Sequence, residues 1–176
     1  MLEIELKARV PALGPLRDAL MAKGARPEGR EHEHDIYYNA PHRNFSETDE
    51  ALRIRYIRGR AVVTYKGAKI KDLGLKAREE LNIAVESGEV AEQILEKLGF
   101  VKTAEVDKWR ETYKLDNAIV SLDEVAGLGT FAEIEIIVQD DEREAALTAI
   151  DAIKKDLDIS GEPILASYLE LLLSKE

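Results

Sequence analysis

The chain contains no cysteine, which excludes disulfides, cysteine-zinc sites, iron–sulfur clusters and thiol catalysis. It has no hydrophobic run of membrane-spanning length. Its first residues, Met1-Leu2-Glu3-Ile4-Glu5, lack the basic region and apolar stretch of a secretory leader. A cytoplasmic protein is therefore expected, with no membrane partner. Positive charge is also in deficit: the formal net charge of −10 argues against a protein built for non-specific binding of nucleic acid, which needs a basic face. No Walker-type sequence, internal repeat or low-complexity tract is present. Histidines number only 3; His32 and His34 share a strand face near His42, but no softer ligand accompanies them, so exposed edge histidines are expected rather than a zinc site.

What the chain does have is 176 residues, 45% of them apolar and 34% charged, enough for one domain over residues 1–176 with a substantial core. Its main feature is a set of alternating charges on strand-like segments: Glu3, Glu5 and Lys7; Arg53 and Arg55; Lys108 and Arg110; Glu133 and Glu135. Side chains at i and i+2 of a strand share one face, about 7 Å apart. The other face of these segments carries Leu2, Ile4 and Leu6, then Leu52 and Ile54, then Ile134 and Ile136. A strand with like charges side by side needs something to neutralise them, and a metal bound to a polyanion would serve the acidic and the basic versions alike.

Alternation and β-branched content predict about eight strands, near residues 2–9, 33–38, 51–58, 61–67, 76–85, 104–114, 118–123 and 131–138. Tight turns are expected at Arg58-Gly59-Arg60 and Asp116-Asn117. Helical period appears over residues 11–23, 88–98, 140–157 and 163–173. If the charged faces pointed to solvent, the helices would have no apolar surface to cover. The arrangement that uses every apolar face is an α+β fold, a closed antiparallel eight-stranded β-tunnel with a charged interior and helices outside. Trp109 and Tyr113 are then expected as core under a helix.

The inward positions read strand by strand are Glu3, Glu5 and Lys7; Arg53 and Arg55; Lys66; Lys76, Arg78 and Glu80; Lys108 and Arg110; Asp123; Glu133 and Glu135. Carboxylates suit hard cations such as Mg²⁺ or Mn²⁺. Guanidinium forks match phosphate oxygens, so a row of them suits an extended triphosphate.

Glu3-Ile4-Glu5-Leu6-Lys7, Arg53-Ile54-Arg55, Thr64-Tyr65-Lys66-Gly67, Arg78-Glu79-Glu80, Lys108-Trp109-Arg110, Asp123 and Glu133-Ile134-Glu135 occur in the order of the CYTH superfamily, the triphosphate tunnel metalloenzymes, which the chain resembles over nearly its whole length. Asp35-Ile36-Tyr37-Tyr38 to Phe45 and Glu50-Ala51-Leu52-Arg53 look most like the CyaB-like branch, the class IV adenylyl cyclases. The resemblance implies that Glu3, Glu5, Asp123, Glu133 and Glu135 serve Mg²⁺ or Mn²⁺. It implies likewise that Lys7, Arg53, Arg55, Lys66, Arg78, Lys108 and Arg110 hold the triphosphate; Lys76 joins this substrate-binding set from its strand position. Lys7 and Glu80 are the expected catalytic residues. Asn82 stands where many members carry a further acid.

The implied activity is conversion of ATP to cyclic AMP and pyrophosphate. The alternatives are hydrolysis of inorganic, thiamine or nucleoside triphosphate, and a module that binds polyphosphate or nucleotide without turnover, whose mark would be loss of acids from the metal set. A homodimer is the oligomeric state toward which the cyclases lean. Base recognition would fall to loops near residues 40–49 and 67–74. Gly127-Leu128-Gly129 leads into a strand rather than a helix, so it is not a dinucleotide loop. Tyr168 reads either as helix packing or as a phosphate ligand.

Overall fold

The computed structural model describes residues 2–69, 76–139 and 142–174. In chain order the elements are β1 (Leu2–Arg9), α1 (Gly14–Ala22), β2 (Arg26–Asn39), α2 (Phe45–Thr48), β3 (Ala51–Ile57), β4 (Arg60–Lys66), β5 (Lys76–Arg78), β6 (Glu80–Val85), α3 (Gly88–Lys97), β7 (Val101–Leu115), β8 (Ala118–Val125), β9 (Gly129–Val138), α4 (Arg143–Asp156) and α5 (Tyr168–Leu173). The α+β class and the antiparallel pairing expected from the sequence are both present. The strand expected over residues 76–85 is interrupted at Glu79, giving β5 and β6. The loop residues 70–75 and the expected helix start at Asp140 lie outside the described residues, as does the Lys76 side chain.

The chain divides into two compact units, Met1–Arg30 with Ile70–Ala77 and Trp109–Glu176, and Glu31–Lys69 with Arg78–Lys108. In the first, β1 lies beside β9, β9 beside β8, and β8 beside β7. The β7–β8 turn is the expected Asp116-Asn117, with the left-handed conformation on Asp116 (φ 53°), which a short polar side chain tolerates. Ile4 stands opposite Ile136 and Leu6 opposite Ile134. These four join Val120 and Leu122 of β8, Leu16 and Leu20 of α1 and Ala146 and Ile150 of α4 in one buried cluster. The helices thus cover the aliphatic sheet face, as the sequence pattern requires. Leu20 and Ile150 are fully buried, and each such side chain contributes about 1.5–3 kcal/mol.

Residues 163–167 do not join the last helix. Ile164 N–H donates to the Lys7 carbonyl at 2.7 Å, pinning this stretch to β1. Helix α5 starts only after Ser167, whose hydroxyl and whose backbone N–H form a reciprocal capping box with Glu170. The strap needs Gly161, because a Cβ there would stand 2.7 Å from the Arg9 carbonyl oxygen. Tyr113 is buried as expected. Trp109 is not: it is 42% exposed, with the Arg30 guanidinium 4.4 Å over its ring in place of a helix.

In the second unit, β7, β2, β3, β4 and β6 follow one another as neighbours. The β3–β4 hairpin turns at Arg58 and Gly59, both at positive φ, the signature of a two-residue turn whose twist matches that of its strands. Ile36, Tyr38, Leu52, Ile54, Ala61 and Phe45 form its core, with Ala91 and Leu95 of α3 packed against them. Gly88 lets the start of α3 seat on Tyr56, where a Cβ would meet the ring at 2.3 Å.

Candidate functional site

With the aliphatic residues committed to the helix-covered faces, the strand alternation leaves the charged residues together on the opposite faces. In the first unit, Glu5 stands opposite Glu135 and Lys7 opposite Glu133 across the β1–β9 pair, with Ser121 of β8 opposite Glu133. Lys7, 2% exposed, lies 3.5 Å from Glu5 and 3.3 Å from Glu133. It donates to the Ala166 carbonyl at 3.3 Å and sits 4.3 Å over the Tyr168 ring. Asp123 is fully buried. Its Oδ1 accepts from Arg110 Nε at 2.7 Å, and its Oδ2 accepts from Arg110 Nη2 at 2.5 Å and from the Tyr168 hydroxyl at 2.7 Å. Arg110 also binds Glu133.

The electrostatics of this face centre on Glu135. Burial, reinforced by Glu3 and Glu5, pushes its carboxyl up to about 7, against the pull of Arg110. Burial, Glu133 and Asp123 raise the Tyr168 hydroxyl well above the usual phenol range. Among the described residues no three acidic or histidine side chains converge in a metal-ligand cluster; Lys7 and Arg110 neutralise these carboxylates instead. The donor set nonetheless fits a hard dication: it is all carboxylate oxygen, and the repulsion by Glu3 and Glu5 that adds to burial at Glu135 is relieved by a cation placed among them.

In the second unit, β2 presents Glu33, Asp35 and Tyr37 on one face, and Arg55 stands opposite Asp35 and Arg53 opposite Tyr37 on β3. Asp35 is 2% exposed. Its two oxygens take a two-point contact from Arg55, Nε at 2.6 Å and Nη2 at 2.7 Å, and Arg53 Nη1 adds a third at 3.1 Å. Glu33 holds Arg55 at 2.9 Å and the buried Lys108 at 3.3 Å. Burial alone would raise the Asp35 carboxyl, but Arg53, Arg55 and Lys108 outweigh it and hold it well below the usual range.

On the neighbouring strands Lys66 is ion-paired with Glu80, and the Thr64 hydroxyl donates to Asn82 Oδ1 at 2.7 Å. Asn82 Nδ2 donates in turn to Glu80 at 3.0 Å. Burial works to raise the Glu80 carboxyl, yet Lys66 and Asn82 bring it down to about 2. Asn82 thus acts as a relay in a hydrogen-bonded chain where an acid would have faced Glu80. Arg78 is half-buried. Within the first unit the structure brings together Lys7, Glu133 and Glu5, and Arg110, Asp123 and Glu133; within the second it brings together Arg53, Arg55 and Lys108, and Lys66 and Glu80.

Sequence reasoning assigned no role to Glu33, Asp35 or Thr64 and left Tyr168 open. The signal for the first two was present: Glu33-x-Asp35-x-Tyr37 alternates with Ile36 and Tyr38 as the recognised pairs do.

Two ion-paired faces with this residue order have a counterpart among known families: the model of the CYTH domain matches residues 1–166. The chain belongs to the CYTH family. A CYTH relative from Methanocaldococcus jannaschii, provisionally named an adenylate cyclase, is 40% identical over 97% of this chain and 98% of its own. The solved structure of a Pyrococcus horikoshii protein is 36% identical, covers 99% of each chain and superposes with a TM-score of 0.88. At 21% identity, a Hippeastrum protein described as having a dominant triphosphatase activity shares the fold, with a TM-score of 0.70 over 99% of this chain and 96% of its own. Among the described residues of this CYTH chain, no helix is long and apolar enough to cross a membrane.

Proposed function

We propose that this CYTH protein is a metal-dependent enzyme acting on a triphosphate, converting ATP to cyclic AMP and pyrophosphate in the manner of class IV adenylyl cyclases. The observation that carries the reading is the carboxylate face of β1 and β9, where Glu5 stands opposite Glu135 and burial, reinforced by Glu3, Glu5 and Glu133, pushes the Glu135 carboxyl up to about 7 against the pull of Arg110. Such a face favours a dication, and Glu3, Glu5, Glu133 and Glu135 with Asp123 are the residues that would hold Mg²⁺ or Mn²⁺. When bound, the metal lowers the pKa of a coordinated hydroxyl and withdraws charge from phosphate oxygens.

The chain's own residues do the rest. Arg53, Arg55, Lys66, Lys76, Arg78 and Lys108 bind phosphate oxygens, the arginines through paired N–H groups. Arg110 exchanges Asp123 for phosphate, which frees Asp123 toward the metal set. Lys7, fixed among Glu5, Glu133, Ala166 and Tyr168, offers a charged donor to the leaving phosphates. Glu80 stays ionised and holds Lys66; with its carboxyl down at about 2 it is a poor proton acceptor. The location that accompanies this reading is cytoplasmic, and the oligomer a homodimer.

Hydrolysis is the second reading, because every group named here recognises metal or phosphate and none selects a base. Incubation with ATP and Mg²⁺ or Mn²⁺, with chromatography of the products, decides. Cyclic AMP with pyrophosphate supports the cyclase; ADP with phosphate, or turnover of inorganic triphosphate alone, supports the hydrolase; no turnover of any triphosphate overturns both.

A further inference from the structure

A row of cations needs more than its own charge to bind a ligand oxygen by oxygen. Guanidinium groups on long side chains lose rotamer entropy when a ligand fixes them, and an unrestrained pair of them facing each other repels. On β3 neither condition applies. Arg55 is held by two parallel N–H contacts to Asp35 at 2.6 and 2.7 Å and by Glu33 at 2.9 Å, so its plane is fixed. Arg53 meets Asp35 through Nη1 at 3.1 Å and is hydrogen-bonded to the side chain of Tyr37 as well. Its Nε is buried and, among the described residues, has no hydrogen-bond partner. Lys108, 3% exposed, is tied to the same Glu33 carboxylate at 3.3 Å.

Two carboxylates on alternate residues of β2 therefore hold three cations contributed by β3 and β7. Burying ions in this number is an expensive way to stabilise a sheet, since apolar residues of similar volume generally serve as well or better. What the carboxylates do provide is orientation. They take up Nε and Nη2 of Arg55 through Asp35, its Nη1 through Glu33, and Nη1 of Arg53, and leave the Arg53 Nε proton for a further acceptor.

We infer that Asp35 and Glu33 are positioning residues for triphosphate recognition, acting through Arg53, Arg55 and Lys108 rather than touching the substrate. The inference rests on the triphosphate reading above. The structure also separates their two parts: Asp35 sets the guanidinium planes, and Glu33 links Arg55 to Lys108. Binding energy of this kind is spent equally on the ground state and on the transition state, so its loss appears in KM and not in kcat.

The test compares wild type with Asp35→Asn, Asp35→Glu and Glu33→Gln. Steady-state kinetics use ATP and inorganic triphosphate with Mg²⁺ or Mn²⁺, direct calorimetric binding uses inorganic triphosphate, and circular dichroism checks the fold. Asp35→Asn raises KM at least about tenfold with kcat within about threefold, and weakens triphosphate binding by the same factor. Asp35→Glu, which keeps the charge but moves it by a methylene, recovers only part of the loss; Glu33→Gln gives a smaller rise of the same type. A folded Asp35→Asn variant with unchanged KM and binding overturns the inference while leaving the triphosphate reading intact. A fall in kcat at constant KM overturns it as well, and loss of folding in all three variants assigns the pair to structure alone. If wild type neither binds nor turns over any triphosphate, the functional reading fails and the inference fails with it.

Discussion

The Tyr168 hydroxyl donates to Asp123 Oδ2 at 2.7 Å, joining the last helix to a carboxylate that is fully buried on β8. The ring beneath that hydroxyl carries Lys7 on its face at 4.3 Å and meets Phe131 edge-on at 5.0 Å. Removing the hydroxyl alone leaves the ring contacts and Arg110 in place but takes one hydrogen bond from a charged acceptor. Tyr168→Phe is expected to cost about 1.5–3 kcal/mol of stability. Guanidinium chloride unfolding, with an unchanged slope and a lower midpoint, is the measurement, and an unchanged midpoint contradicts it.

Glu133 and Glu135 stand on the face proposed for the metal, whereas Arg53 stands in the row proposed for phosphate. Glu133→Ala and Glu135→Ala should each abolish turnover at saturating metal, and Arg53→Ala should chiefly raise KM. Full activity of both glutamate variants would sink the metal assignment.

Asn82 donates to Glu80 at 3.0 Å. Asn82→Asp places a second carboxylate within reach of Glu80, and two anions so close cannot both ionise without cost, so the shared site takes up a proton at a raised pKa. A folded-state acid pKa above the unfolded value makes stability fall as pH rises between the two. The variant should therefore lose more stability relative to wild type at pH 8 than at pH 4. Equal losses in urea midpoint at both pH values would rule this out.

Asp35 works in the opposite sense. Arg53, Arg55 and Lys108, overriding burial, depress its pKa, so the stability it contributes is fully present above its unfolded value of about 3.9 and is lost as pH falls below it. Urea midpoints followed from pH 5 to pH 3 should drop more steeply for wild type than for Asp35→Asn. Parallel acid limbs would show that the carboxylate carries no such linkage.

Much of this could be read in the sequence because strand alternation sorts residues by face without any knowledge of the tertiary fold. Ile4, Leu6, Ile134 and Ile136 and their charged neighbours Glu5, Lys7, Glu133 and Glu135 occupy the opposed faces that their spacing implies. The pairing of Asp35 with Arg53 and Arg55 was not legible, because an acid that binds arginines has the same spacing as an acid on a solvated face; only burial and partners distinguish them. The interruption at Glu79 carries no Gly or Pro to announce it. Trp109 alternates as a core residue should, but a cation from β2 covers it where a helix was expected. The shortened last helix was legible in part, since Ser167-x-x-Glu170 is a start signal, but the pairing of Ile164 with Lys7 that pins the preceding residues is set by a segment far away in sequence.

The strap that ties residues 164–168 to Lys7 has a consequence for biosynthesis. Lys7 leaves the ribosome some 160 residues ahead of Ala166 and Tyr168, which fix its ammonium. Contacts of such long range form slowly and late. During synthesis the nascent chain therefore carries Glu3, Glu5 and Lys7 without the surroundings that orient them, and the centre acquires its geometry only when residues 164–168 dock.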